Sequence, residues 1–252
     1  MKNLYLFLFF TLCTLNASFG QQLKQEYQTK INIFIGHVIN DDSKEIAKWI
    51  SYPLKREYPL PDIKTKEEFI LRYAEIFDDS LKNSIIDSNS ATDWDEMGWR
   101  GIMLYQGTLW MDTEGKITAI SYQSKAEKSK KKNIIEADKK KLHFSLIEFK
   151  NPEYVLLTAK FRIRIDQLSN GKYRYASWPI SKPMSEKPDL ILTNGEVFMD
   201  GSGGNHHFEF KNGIYTYQCF IWRLRGSDTS PADLSVLKNE EEILSQPAEI
   251  VE

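Results

Sequence analysis

The chain reads as an α+β protein in two parts, N-terminal helices packed on an antiparallel meander followed by an all-β sandwich or small barrel. Three observations predict this. Up to about residue 86 apolar residues recur at three- and four-residue spacing, and from about residue 99 they alternate or run in short blocks between glycine turns. A lysine-rich interval at 125–141 separates the two β-bearing stretches. Aromatic residues make up 13% of the chain, which favours large packed surfaces over disorder.

The opening Met1-Lys2-Asn3 supplies one positive charge, residues 4–15 are almost unbroken apolar sequence, and Asn16-Ala17-Ser18-Phe19-Gly20 is small and polar. That is the three-part pattern of a secretory signal, with cleavage expected after Gly20. The apolar run is shorter than the ~20 residues a permanent span requires, and no later stretch is apolar enough to serve. The mature chain is therefore expected to be exported to the periplasm or extracellular space with no membrane span. Cys219 is then its only cysteine, so no intramolecular disulfide forms and stability must come from burial. Loss of Lys2 takes the formal charge from −2 to about −3, which makes no global case for nucleic acid.

Apolar stripes predict helices over 23–37 and 42–50, the second with Asp42 and Ser43 as natural N-caps. Pro53, Pro59 and Pro61 then impose an extended connector. Thr65-Lys66-Glu67-Glu68 is a capping box that opens a third helix, whose buried side is Phe69, Ile70, Tyr73, Ile76 and Phe77. A short helix over 80–86 completes the α layer. Strand-like runs at 99–105 and 108–112 flank Gln106-Gly107, a two-residue hairpin turn, and a third strand follows at 116–123.

These boundaries give a signal over 1–20, an α+β domain over 21–123, a Lys-rich linker over 124–141 and a β-domain over 142–252. The linker carries eight lysines against Glu127, Glu136 and Asp138, the composition of a solvated connector or an exposed helix. In the β-domain, residues 159–166 alternate apolar and charged, which predicts one face on a core and the other in water. Asn170-Gly171 and Asn212-Gly213 are turns, with further strands at 173–176, 189–192, 196–199, 206–210, 214–223, 234–238 and 242–245.

Three segments could carry chemistry. In Asp93-Trp94-Asp95-Glu96-Met97-Gly98-Trp99-Arg100-Gly101 three carboxylates stand near an arginine. Such carboxylates do acid–base work when their environments separate their pKa values, but on a turn they cap backbone, and an Arg100 salt bridge to Asp93 or Asp95 is expected here. In the hairpin, opposite pairing puts Ile102, Leu104, Leu109 and Met111 on one face and Trp99, Met103, Tyr105 and Trp110 on the other. Each such side chain is worth ~1.5–3 kcal/mol when buried, so both faces call for cover. The helices supply one cover; the other comes from the C-terminal domain, from a curled sheet that makes a pocket, or from a partner. The candidate ligand site is therefore Trp99, Arg100, Met103, Tyr105 and Trp110.

The third segment, 201–210, holds Ser202, Asn205, His206 and His207, a candidate partner-binding loop. A phosphate loop would need a helix after it, and the alternation that follows predicts a strand. Adjacent strand histidines point to opposite faces, leaving only His207 and Glu209 to share an ion, too few for a metal site. Cys219, amid aromatics, reads as a small core hydrophobe. No cofactor and no catalytic residue is assigned.

The stretch 43–123, helices followed by a bent antiparallel sheet rich in Trp and Tyr, resembles the cystatin-like and nuclear-transport-factor-2-like α+β folds. That resemblance implies a concave sheet face forming a pocket, which would hold Trp99, Met103, Tyr105 and Trp110. Enzymes of that superfamily place an acid or histidine inside the cone, and this stretch has no histidine. The run Asp200-Gly201-Ser202-Gly203-Gly204 with Tyr215-Thr216-Tyr217-Gln218-Cys219 is similar in composition to small periplasmic β-barrel lysozyme inhibitors and departs from them in lacking paired cysteines. The expectation is a secreted, non-enzymatic binding protein for a small molecule or a secreted protein. Two alternatives stand beside it: an inhibitor of a secreted hydrolase such as a lysozyme, and an enzyme built on Asp93, Asp95 or Glu96 with Arg100.

Overall fold

The computed structural model describes residues 23–201, 203–226 and 228–251, so the expected signal peptide and Ser202 lie outside the described residues. The chain is α+β and ends in a small antiparallel barrel. Helices α1 (Gln25–Ile39), α2 (Ser43–Trp49), α3 (Lys66–Ile76) and α4 (Asp79–Ile86) come first. Their starts follow the capping chemistry in the sequence. Asp42 accepts from Glu45 N–H at 3.1 Å, and Thr65 accepts from Glu68 N–H at 3.2 Å. The Glu68 carboxylate takes the N–H of Lys64 at 2.6 Å, one residue ahead of the capping-box position.

Strands β1 (Trp94–Glu96), β2 (Ile102–Leu104), β3 (Leu109–Met111) and β4 (Ile117–Ile120) form a four-stranded antiparallel meander. Its inner face joins Phe34, Phe69, Phe77 and Trp94 in one apolar core with the helices. β1 falls where the sequence suggested a turn: a buried Trp94, with its indole N–H on Ser88 Oγ at 3.0 Å, draws that segment into the sheet.

The lysine-rich interval is a helix, α5 (Lys125–Lys139), capped by Ser124. Its apolar and acidic residues anchor it at both ends. Glu127 is buried against Arg56, Ile135 packs with Leu142, Leu146, Phe149, Ala176 and Trp178, and Asp138 meets Arg164 at 2.7 Å. The lysines lie on the remaining faces, where Lys130 and Lys131 pair with Glu75 and Glu57.

Eight strands then close into a barrel: β5 (Asn151–Thr158), β6 (Phe161–Gln167), β7 (Tyr173–Pro179), β8 (Leu190–Met199), β9 (His206–Asn212), β10 (Tyr215–Ile221), β11 (Ala232–Lys238) and β12 (Glu241–Val251). Each pairs with its sequence neighbour, and β12 returns to β5, so the topology is up-and-down. Side chains fill the interior, among them Leu156, Ile165, Tyr175, Phe208, Phe210 and Cys219. The segments at 189–192 and 196–199 belong to one strand, β8, which bends at Asn194 with φ 64°.

The charged face of β6 does not meet water, contrary to its alternation. Arg164 is 1% exposed and Asp166 is 0% exposed. Asp166 accepts from Arg164 Nε at 2.8 Å and from Arg174 Nη2 at 2.6 Å, while Phe149 closes over both guanidinium groups and Asp138 of α5 meets that of Arg164. The barrel thus carries a second, outer core on β6 and β7, and mutual pairing makes the burial of its charges tolerable.

Candidate functional site

The β2–β3 register is Ile102↔Met111, Met103↔Trp110 and Leu104↔Leu109, which separates two faces. Ile102, Leu104, Leu109 and Met111 are fully buried beneath the helices. Met103 and Trp110 turn the other way, remain half-buried and belong to none of the apolar clusters formed by the described residues. The Arg100 guanidinium sits 5.6 Å from the Trp110 ring centroid, and Gly107 lies against the indole edge. A Cβ on Gly107 would fall 3.0 Å from Trp110 Nε1, and its φ of +97° suits glycine alone.

The turn is longer than the expected two-residue hairpin: pairing ends at Leu104↔Leu109, and residues 105–108 form the connection around a 3-10 turn. Tyr105 and Gln106 adopt φ of 36° and 41°, and Thr108 N–H donates to both Leu104 O at 2.9 Å and Tyr105 O at 3.1 Å. Tyr105 is 39% exposed, and its hydroxyl donates to Asp93 Oδ2 at 3.3 Å. Desolvation, aided by the Asp93 charge, raises its pKa. Beside it lies an open depression of about 560 Å³, lined by Tyr105, Gln106, Gly107, Thr108, Trp110, Ser121 and Tyr122.

Trp99 does not share this face. It sits in a short 3-10 turn, Gly98–Arg100, and is 73% exposed. The strand begins only at Ile102 because Gly101, at φ +89°, folds the turn back on β3, where a Cβ would strike Met111 O at 2.3 Å. Among the sequence candidates, then, Arg100, Met103, Tyr105 and Trp110 come together and Trp99 stands apart. Sequence reasoning missed Ser121 and Tyr122, which β4 brings to the depression; only the strand register signals them.

The expected Arg100 salt bridge to Asp93 or Asp95 is absent among the described residues, since the guanidinium lies on Trp110 instead. The three carboxylates do not converge. Asp93 binds the N–H of Asn89 at 2.9 Å and the hydroxyls of Thr92 and Tyr105, Asp95 is exposed opposite Met103, and Glu96 pairs with Lys24 at 2.7 Å. That geometry offers no pair of groups with separated roles.

In the barrel, Asp200, Gly201, Gly203, Gly204 and Asn205 lie between β8 and β9. Asn205 is a strut: its Oδ1 accepts from Arg223 N–H and Leu224 N–H, each at 2.8 Å. His206 points inward, with Nδ1 on Gly204 O at 2.9 Å and Nε2 on the Tyr154 hydroxyl at 3.3 Å; burial, with help from Arg223, lowers its pKa. His207 points outward, stacks on Phe198 at 5.2 Å and binds Asp200 at 3.0 Å. The three candidate loop residues thus face three directions. Among the described residues no group of three or more His, Cys, Asp or Glu side chains could hold a metal ion, and no helix is long and apolar enough to cross a membrane. No protein-family model, curated protein or solved structure matches this chain.

Proposed function

We propose that this is an exported, non-enzymatic binding protein whose ligand or protein partner seats on the outer face of the N-terminal sheet. The observation that carries the reading is the partly buried Trp110 and the exposed Tyr105 beside an open depression, on a sheet whose opposite face is fully packed. A ring that large outside every apolar cluster gains from being covered, and the Arg100 cation on its plane, with the side chains of Gln106, Thr108 and Ser121 around it, offers polar recognition at the rim. Export rests on the N-terminal sequence pattern alone.

Fluorine NMR of 5-fluorotryptophan-labelled protein, titrated with sugars, aromatic acids and short peptides, tests this. Binders are expected to move the Trp110 resonance and to lose affinity in Tyr105→Ala. Binders that leave Trp110 unmoved would contradict the reading.

A further inference from the structure

The barrel end that carries residues 168–172, 203–205 and 222–226 has an uneven wall. Pairing of β7 with β8 stops at Tyr173↔Gly195, while β8 and β9 continue to Met199↔His206. At ~3.3 Å per residue, β8 therefore rises roughly 13 Å above the start of β7, leaving a notch. Directly opposite residues share a face, so Val197 joins Phe208 and Met199 joins His206 on the inner side of the wall. Even so, Met199 is 66% exposed and Val197 is 38% exposed. Tyr173 and Phe208, 4.9 Å apart at their ring centroids, form the floor.

A hydrogen-bond relay stands across the mouth. His206 Nδ1 lies 2.9 Å from Gly204 O, which can only accept, so that nitrogen carries the proton and Nε2 is left to accept from the Tyr154 hydroxyl. The Tyr154 oxygen in turn accepts from Arg223 Nη2 at 2.9 Å, and the Arg223 guanidinium lies 5.9 Å from the Tyr154 ring centroid. Arg223 is exposed and has a neutral phenol, not a carboxylate, as its side-chain partner among the described residues. Asp200, whose charge reaches His206, is held on the outer side by His207.

We propose that this mouth binds a small amphiphilic anion, its acidic head on Arg223 and its apolar chain in the notch against Val197 and Met199. Charge complementarity selects the head: a guanidinium with donors to spare, fixed by the Tyr154 bond, is preorganised for a carboxylate. The exposed inward side chains select the chain, since covering them removes apolar surface from water. The site is separate from the aromatic sheet face and does not depend on it.

Decanoate, titrated into the full mature protein with methyl-13C methionine, tests the proposal. A saturable shift of the Met199 methyl signal is expected, with affinity falling at least about tenfold for Arg223→Gln and for 1-decanol in place of decanoate. Trp110→Ala is expected to leave decanoate binding unchanged, which keeps this test independent of the sheet face. Should Arg223→Gln disturb the barrel, Met199→Glu leaves the relay in place and sets a like charge in the notch; calorimetry should then show decanoate binding lost. An unmoved Met199 signal, equal affinity for 1-decanol, or binding retained in Met199→Glu would each overturn the proposal. Adsorption to phosphatidylglycerol vesicles with Met199 unmoved by decanoate would overturn it in favour of a membrane surface.

Discussion

Arg56 and Glu127 form a bidentate ion pair sealed from water, with Nε to Oε1 at 2.7 Å and Nη2 to Oε2 at 2.5 Å. The same guanidinium donates to the carbonyls of Ile120 and Tyr122, so one side chain fastens the proline-rich connector, the end of β4 and the first turn of α5. Removing one partner strands a buried charge. Glu127→Ala is expected to lose about 3–5 kcal/mol in urea unfolding, and the apolar double variant Arg56→Met/Glu127→Leu to lose less. A single variant no worse than the double would contradict the assignment.

Trp178 lies on the outer wall of the barrel, yet it is fully buried among Ile135, Leu142, Leu146 and Phe149, with its indole N–H on Glu186 O at 2.9 Å. Trp178→Ala should therefore behave as a core substitution and lose about 3–5 kcal/mol. A loss under about 1 kcal/mol by the same assay would show that α5 and the segment after it do not cap this wall.

Burial pushes the Glu153 carboxyl up to about 7; the charges of Glu57 and Asp166 add to the rise and Lys131 opposes it. The folded carboxyl keeps its proton to higher pH than the unfolded one, which titrates near 4.5. The folded state thus binds more protons across that interval, and stability falls as pH rises from about 4.5 to about 7. The contribution is on the order of 2–3 kcal/mol at most. Urea midpoints measured across this range should decline less steeply for Glu153→Gln than for the parent; identical slopes would refute the coupling.

Cys219 is wholly buried in the barrel interior, and burial pushes its thiol up to about 12. Labelling by 5,5′-dithiobis(2-nitrobenzoic acid) at neutral pH should be negligible in the native protein and become rapid only with denaturant, tracking global unfolding. Fast labelling without denaturant would mean the barrel opens locally at β10.

Local signals made much of the fold legible. Asp42 and Thr65 cap where expected, the Ile102↔Met111 register follows from the alternation, and Asn212-Gly213 turns β9 into β10. What escaped depends on distant partners. Arg162-Ile163-Arg164-Ile165-Asp166 looks half-solvated because nothing local announces that Asp138, Arg174 and Phe149 will cover it. The lysines of 125–141 mask a helix anchored by Glu127 and Ile135, two residues in a run of charge. At the candidate site, strand alternation placed Met103 and Trp110 together, but it carried Trp99 onto the same face, because the positive φ of Gly101 that ends the strand is invisible to periodicity.

Leu109 and Trp110 are neighbours on β3 that face opposite ways, one fully buried and one partly buried, and comparing their alanine variants tests the binding face most directly. In urea unfolding, Leu109→Ala is expected to lose about 2–5 kcal/mol and Trp110→Ala, although it removes the larger side chain, only about 1 kcal/mol. A Trp110→Ala loss equal to or above that of Leu109→Ala would make the indole part of the core and remove the proposed binding face.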